Sequence, residues 1–237
     1  YLNSIKVNAL KIGSGEVGNT GFISKCFDFT DHVIYSTGLS TFEDIDEVQK
    51  ISKSKGKKLS ILHCNTSYPT EDKDVNLSVI PEFISRYKDS LIGYSDHTTD
   101  HLACLNAVAL GARIIERHVT LEKNIPNAQD WKVSSLPEEL KTLRRNLDRT
   151  YLQLGQEFKF VTASAKKNIY WACKSPYLRF SVKKGQKLCR DCLVMKRPFS
   201  GTRMQDIFLD GYNTYLKKDI LKDQAILAED IFILSKQ

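Results

Sequence analysis

Short apolar runs alternate through the first 150 residues with segments whose apolar positions recur every three or four. The runs are Ala9–Ile12, Val33–Ser36, Leu59–Cys64, Leu91–Tyr94 and Arg113–Glu116. Their length suits strands buried on both faces. The segments between and after them, Gly21–Phe29, Thr41–Lys53, Val75–Arg86, Leu102–Leu110 and Pro137–Leu154, have the period of helices. Thr41 and Asp44 have the spacing of a capping box, and Pro137 suits the first turn of its helix. Repeated strand–helix units mean a parallel sheet, so the chain is predicted to be α/β.

That pattern gives two histidines a meaning. Leu91–His97 and Ala112–His118 are consecutive strand runs, each ending in a histidine, with a helical segment between them. Parallel strands put both imidazoles on the carboxyl edge of the sheet, where α/β barrels keep their chemistry. Alone, each histidine reads as a strand-end hydrogen-bonding group. Together, with acidic neighbours, His97 and His118 suit a divalent metal.

The other strand ends carry anion-binding chemistry. Lys11-Ile12-Gly13-Ser14-Gly15-Glu16 offers an ammonium, a hydroxyl and approachable backbone N–H groups. Ser36-Thr37-Gly38 repeats this one unit later, Asn65-Thr66-Ser67-Tyr68 adds hydroxyls, and Ser95 lies beside His97. Lysine, hydroxyls and exposed amides are what a phosphate or carboxylate needs. A Schiff-base role for Lys11 would need a desolvated lysine, whereas this one sits in a Gly/Ser-rich cradle.

From Tyr177 the texture changes to short mixed runs, Val182–Gln186, Lys196–Gly201, Leu216–Asp219 and Ile226–Asp230, separated by turns. They predict a small β-rich domain. The expected division is 1–155 for the barrel-like part, 156–174 for a linker and 175–237 for the second domain. The net charge of +7 on 237 residues is uneven. Residues 1–159 carry 20 Lys and Arg against 21 Asp and Glu, and residues 160–237 carry 15 against 7. The basic residues of the tail are scattered among acidic ones, so a solvated surface is expected rather than nucleic-acid binding. No apolar run approaches the roughly 20 residues of a membrane span. Tyr1–Lys6 does not read as a signal peptide, so a reduced, cytoplasmic setting is expected. Cys64 and Cys104 read as core thiols. The Cys189-Arg190-Asp191-Cys192 spacing has no second pair to complete a zinc site.

The ordered set Lys11–Glu16, Ser36–Gly38, Leu62–Cys64, Tyr68–Thr70, Asp74–Leu77, Gly93–His97, Ala107–Gly111 and Glu116–His118 resembles the sialic acid synthase family. The tail's Val182–Gly185, Met195–Pro198 and Gly201 are similar to that family's antifreeze-like (SAF) domain. The resemblance implies a partial (β/α)8 TIM barrel of about five βα units followed by an SAF domain. It implies a synthase that condenses phosphoenolpyruvate with an N-acylated amino sugar, such as N-acetylmannosamine, to a nine-carbon 3-deoxy-2-ulosonic acid and phosphate. His97 and His118 would bind Mn²⁺, with Mg²⁺ or Co²⁺ as alternatives. Lys11, Ser14, Ser36, Thr66 and Ser95 would hold phosphoenolpyruvate, and Tyr68, Asp130 and Arg197 the sugar. Glu116 would support the metal, with Glu16 as an acid close by and Lys11 as a catalytic cation. Arg197 would reach the partner's site in a domain-swapped homodimer.

The family's barrel has eight strands and this chain starts at what would be the fourth. Three units, about 90 residues at roughly 30 per unit, are therefore expected to be missing. The chain alone is expected to show little activity; a binding or assembly role without catalysis is the alternative. Residues Asn127–Ser134, with Trp131 where relatives carry a histidine, suggest a modified sugar of the legionaminic or pseudaminic type.

Overall fold

The computed structural model describes residues 7–128 and 130–235; the opening run Tyr1–Lys6 and Gln129 of the Asn127–Ser134 stretch lie outside them. The chain divides into two compact units at Gln156 and Glu157.

The first unit alternates strand and helix in chain order: β1 (Leu10–Ile12), α1 (Thr20–Phe29), β2 (His32–Ser36), α2 (Phe42–Ser54), β3 (Lys58–His63), α3 (Val79–Arg86), β4 (Leu91–Asp96), α4 (Leu102–Ala109), β5 (Ile114–Arg117) and α5 (Pro137–Leu154). All five strands pair in parallel, in the order β1-β2-β3-β4-β5. Thr41 caps α2 through the expected box: its hydroxyl accepts from the Asp44 N–H, and the Asp44 carboxylate accepts from the Thr41 N–H at 2.7 Å. Helix α3 starts four residues later than its apolar period suggests. A 3₁₀ turn at Asp72–Asp74 and Asn76 in the left-handed region (φ 49°) occupy the start of the segment; such a residue cannot continue a helix.

Strand register sorts the side chains into two sets. Ile12, Val33, Tyr35, Leu59, Ile61, Ile92 and Tyr94 face the helices and pack against Ile23, Phe27, Ile45, Val48, Ile80, Phe83, Ala103 and Ala107. The alternate set, Lys11, Ile34, Ser36, Ser60, Leu62, Gly93, Ser95, Ile114 and Glu116, faces inward. The sheet is curled, because Lys11 on β1 and Glu116 on β5 touch at 2.9 Å. In a flat sheet four strand spacings would hold them about 19 Å apart. This is a partial TIM barrel. Gly93 is needed for the curl: a Cβ there would lie 2.6 Å from the Ile114 carbonyl oxygen.

The second unit holds two antiparallel pairs. Strand β6 (Ser175–Leu178) pairs with β7 (Leu193–Lys196), and β8 (Tyr212–Leu216) with β9 (Ile231–Ser235). These are not the runs expected from the sequence. Val182–Gln186 turns at Gly185 (φ 77°) and contributes one bridge, Val182 to Ile220. Lys196–Gly201 overlaps β7 only at Lys196, Leu216–Asp219 overlaps β8 only at Leu216, and Ile226–Asp230 precedes β9. Val182, Leu216 and Ile226 of those runs do enter the core, which gathers Leu178, Val182, Leu188, Cys192, Leu193, Ile207, Leu216, Ile220, Ile226 and Ile231. Residues 156–174 include two short helices, Ala163–Lys166 and Ile169–Ala172. Cys189 and Cys192, whose spacing lacked a second pair for a zinc site, are joined in a disulfide.

Candidate active site

The carboxyl ends of β1 to β5 meet in one place. Lys11 leaves β1 and donates from Nζ to Glu116 Oε1 at 2.9 Å; Ser95 Oγ donates to the same oxygen at 2.6 Å. Register explains this, since Ser95 and Glu116 are direct neighbours across β4 and β5. Burial alone would raise the Glu116 carboxyl. The bonds from Ser95 and Lys11, with the lysine charge and His97 adding to them, outweigh burial and hold it below the usual carboxylate range.

Ser14 and Gly38 extend the cradle. Ser14 Oγ accepts from the Gly38 N–H at 3.0 Å and lies 3.3 Å from Cys64 Sγ. A Cβ on Gly38 would sit 2.8 Å from Thr66 Cγ2 and 2.9 Å from Ser14 Oγ. Only glycine allows the loop after β2 to approach this closely. Ser36 Oγ, on the inward face, is buried and has no hydrogen-bond partner among the described residues. A buried hydroxyl without a partner carries a desolvation cost that a bound polar ligand would remove.

The two histidines are neighbours. The His97 and His118 ring centroids lie 5.2 Å apart, and the Tyr68 ring stacks on His97 at 4.1 Å and meets His118 edge-on at 5.6 Å. His97 is buried, and its Nδ1 faces the Asn65 carbonyl oxygen at 2.5 Å. A carbonyl only accepts, so Nδ1 carries the proton and Nε2 keeps a free lone pair. Burial first, then the neighbouring His118, lowers the His97 pKa against the opposing bond to Asn65 and so favours the neutral ring. His118 Nδ1 lies 3.5 Å from an Asp130 carboxylate oxygen. Asp130, Tyr68, Ala128, Trp131 and Lys132 line an open cavity of about 660 Å³ beside the rings.

Two adjacent imidazoles, one oriented by a backbone acceptor, suit a divalent ion that takes its other ligands from water and substrate. Among the described residues no group of three or more His, Cys, Asp or Glu side chains gathers for metal binding. Any ion here would therefore have few protein ligands.

The structure brings Lys11, Ser14, Ser36, Tyr68, Ser95, His97, Glu116, His118 and Asp130 to the inward strand ends. Thr66 lies in the loop after β3 beside Gly38. Glu16 is placed differently: it accepts from Asn19 Nδ2 at 2.7 Å, at the cap of α1, and has no hydrogen bond or ion pair to the Lys11 and Glu116 group among the described residues. Arg197 belongs to the second unit, where its Nε donates to the Ala172 carbonyl at 3.0 Å. Asp96, His101, Arg117 and Ser135 were not among the residues expected from the sequence. Asp96 and Arg117 form an ion pair behind the histidines, with only 0 % and 4 % of their side chains exposed. The visible signal was the repeated acid–histidine grouping of Ser95-Asp96-His97 and Glu116-Arg117-His118, in which alternate residues must face opposite sides.

A family model described as the NeuB family matches residues 1–159, well over half of the chain. The chain belongs to the NeuB family. The N,N'-diacetyllegionaminic acid synthase of Campylobacter jejuni is 35% identical over 203 residues, covering 84% of this chain and 60% of that protein. The crystal structure of the N-acetylneuraminic acid synthetase of Leptospira borgpetersenii, solved with citrate, matches at TM-score 0.65 and 36% identity over 71% of this chain and 58% of that one. A spore coat polysaccharide biosynthesis protein E of Chromobacterium violaceum matches at TM-score 0.75 and 25% identity, over 98% of this chain and 69% of that one. This NeuB chain thus spans about three fifths of the length of the two synthases.

Proposed function

We propose that the protein condenses phosphoenolpyruvate with an N-acylated amino sugar, giving a nine-carbon 3-deoxy-2-ulosonic acid and inorganic phosphate. The observation that carries this reading is the Lys11 cradle, with a Ser36 hydroxyl that has no partner among the described residues, opening beside two imidazoles. Family membership and relatives named as synthases of legionaminic and N-acetylneuraminic acids support it.

In this reading Lys11 neutralises the donor's anionic charge. Ser36 donates a hydrogen bond to the donor's oxygens, while Ser95, whose proton goes to Glu116, and Ser14, which accepts from the Gly38 N–H, line the cradle around it. Tyr68 and Asp130 orient the sugar, so that C3 of the enol faces the aldehyde carbon of the open-chain form. A C3–C1 bond forms, water adds at C2, and phosphate leaves with cleavage of its C–O bond. Glu116, held ionised by Lys11 and Ser95, keeps an acceptor next to the reacting atoms. His97 and His118 would hold Mn²⁺ or a similar ion, which when bound polarises the sugar carbonyl. Arg197 would contribute to the sugar site of a partner copy, with the second unit acting as an SAF domain. Trp131 on the cavity wall, with a relative named as an N,N'-diacetyllegionaminic acid synthase, favours a modified amino sugar such as a diacylamino sugar.

Incubating the full-length protein with phosphoenolpyruvate, Mn²⁺ and a panel of 2-acylamino sugars, followed by mass spectrometry, tests the reading. One equivalent of phosphate per 3-deoxy-2-ulosonic acid is expected. Phosphate release without a new carbon–carbon bond would refute it.

A further inference from the structure

The last residue pair of the β4–β5 ladder is Asp96 and Arg117, and each is followed immediately by one of the two histidines. Both histidines therefore hang just beyond the final registered pair, where strands ordinarily fray. Here the backbone is bracketed instead. Asp96 Oδ1 accepts from the Thr98 N–H at 2.9 Å and from Tyr94 Oη at 3.1 Å, closing a turn around His97. Asp96 Oδ2 accepts from Arg117 Nη1 at 2.5 Å and from Cys104 Sγ at 3.0 Å. Arg117 Nε donates to Ser135 Oγ at 3.1 Å, and the Ser135 N–H donates to the His118 carbonyl at 2.8 Å. His101 Nε2 lies 2.8 Å from the same Ser135 hydroxyl. One connected set of bonds thus runs from the turn at His97 to the backbone of His118.

Tyr94, Asp96 and Arg117 lie on the helix-facing alternation of β4 and β5, opposite to Ser95 and Glu116. Replacing a buried ion pair with apolar residues of similar volume is often neutral or stabilising, so fold stability alone does not call for this one. What the network adds to the β4–β5 ladder is a side-chain tie that continues past its last pair, from the turn at His97 to the backbone of His118.

We propose that Asp96, Arg117 and Ser135 are positioning residues that set the mutual placement of His97 and His118 and thereby the affinity of that pair for a divalent cation. This rests on the reading of His97 and His118 as metal ligands. Groups that orient metal-bound histidines change affinity by about 10- to 100-fold when lost.

The test is Mn²⁺ titration of the full-length protein, read as loss of the free-ion electron paramagnetic resonance signal, with phosphoenolpyruvate affinity measured separately without metal. The Asp96→Leu, Arg117→Met double variant is expected to melt cooperatively, to bind Mn²⁺ at least 10-fold more weakly, and to keep phosphoenolpyruvate affinity within about twofold. A general loosening of the fold would weaken both ligands. If the double variant does not fold, Ser135→Ala decides: about 10-fold or greater weakening for Mn²⁺ alone is expected. Parent-like Mn²⁺ affinity in either folded variant, or equal loss for both ligands, overturns the proposal. His97→Ala separates the two readings. If it binds Mn²⁺ as tightly as the parent, the ligand assignment fails and takes the positioning role with it. If it alone loses the ion, only the positioning role fails.

Discussion

Two ion pairs cross neighbouring positions of the same barrel on opposite faces. Lys11 and Glu116 meet on the inward side with side chains 41% and 33% exposed; Arg117 and Asp96 meet on the helix side at 4% and 0%. The inward pair has water at hand, so either group can exchange its partner for a ligand at modest cost. The outward pair has no such freedom, because every lone pair it gives up would stay buried. A single strand segment therefore carries a labile charge and a fixed one at successive residues, Glu116 and Arg117. The alternation of side chains along a strand is enough to produce both.

This contrast can be broken most sharply at Asp96. Asp96→Ala leaves the Arg117 guanidinium buried and unpaired, and about 3–5 kcal/mol of stability is expected to go. Urea unfolding measures it, and a loss below about 1 kcal/mol would show that the outward pair is as dispensable as a surface one. Next comes the curl that brings the inward pair together. Gly93→Ala would drive a methyl against the Ile114 carbonyl, and a cost of about 1–3 kcal/mol is expected from the same assay. An unchanged midpoint would mean that β4 and β5 can separate there without penalty. Glu116→Gln removes the inward carboxylate charge and is expected to cost no more than about 1 kcal/mol, since exposed pairs contribute little. A cost like that of Asp96→Ala would erase the distinction between the two faces. Thr41→Ala, remote from both pairs, serves as a ruler: loss of its cap on α2 should cost about 1 kcal/mol.

The first unit was largely legible because its runs are long enough to carry a period. Five apolar runs became five parallel strands, and Thr41–Asp44 became the expected cap. The inward chemistry was legible for the same reason, as it sits at positions the alternation marks as strand ends. The Asp96–Arg117 pair was not, because a buried ion pair leaves no compositional trace. Two charged residues beside a histidine look alike whether they face ligand or core. Helix α3 was overextended because the left-handed turn at Asn76 does not disturb the apolar period. In the second unit the strands span four or five residues and the turns between them are also partly apolar. Ile220 and Ile226 are fully buried yet lie outside β8 and β9, so apolarity there marks the core without marking the strand. The Cys189–Cys192 link was missed because C-x-x-C spacing fits a thiol pair, a metal site or a disulfide alike.

The inward cradle's central feature is that Lys11 is a ligand's cation before it is a structural one. Calorimetric titration of phosphoenolpyruvate into the full-length protein and into Lys11→Met tests this directly, with the melting temperature followed in parallel. The account predicts at least tenfold weaker binding, about 1.4 kcal/mol, in a variant that melts close to the parent. Equal affinity in the two proteins would contradict it.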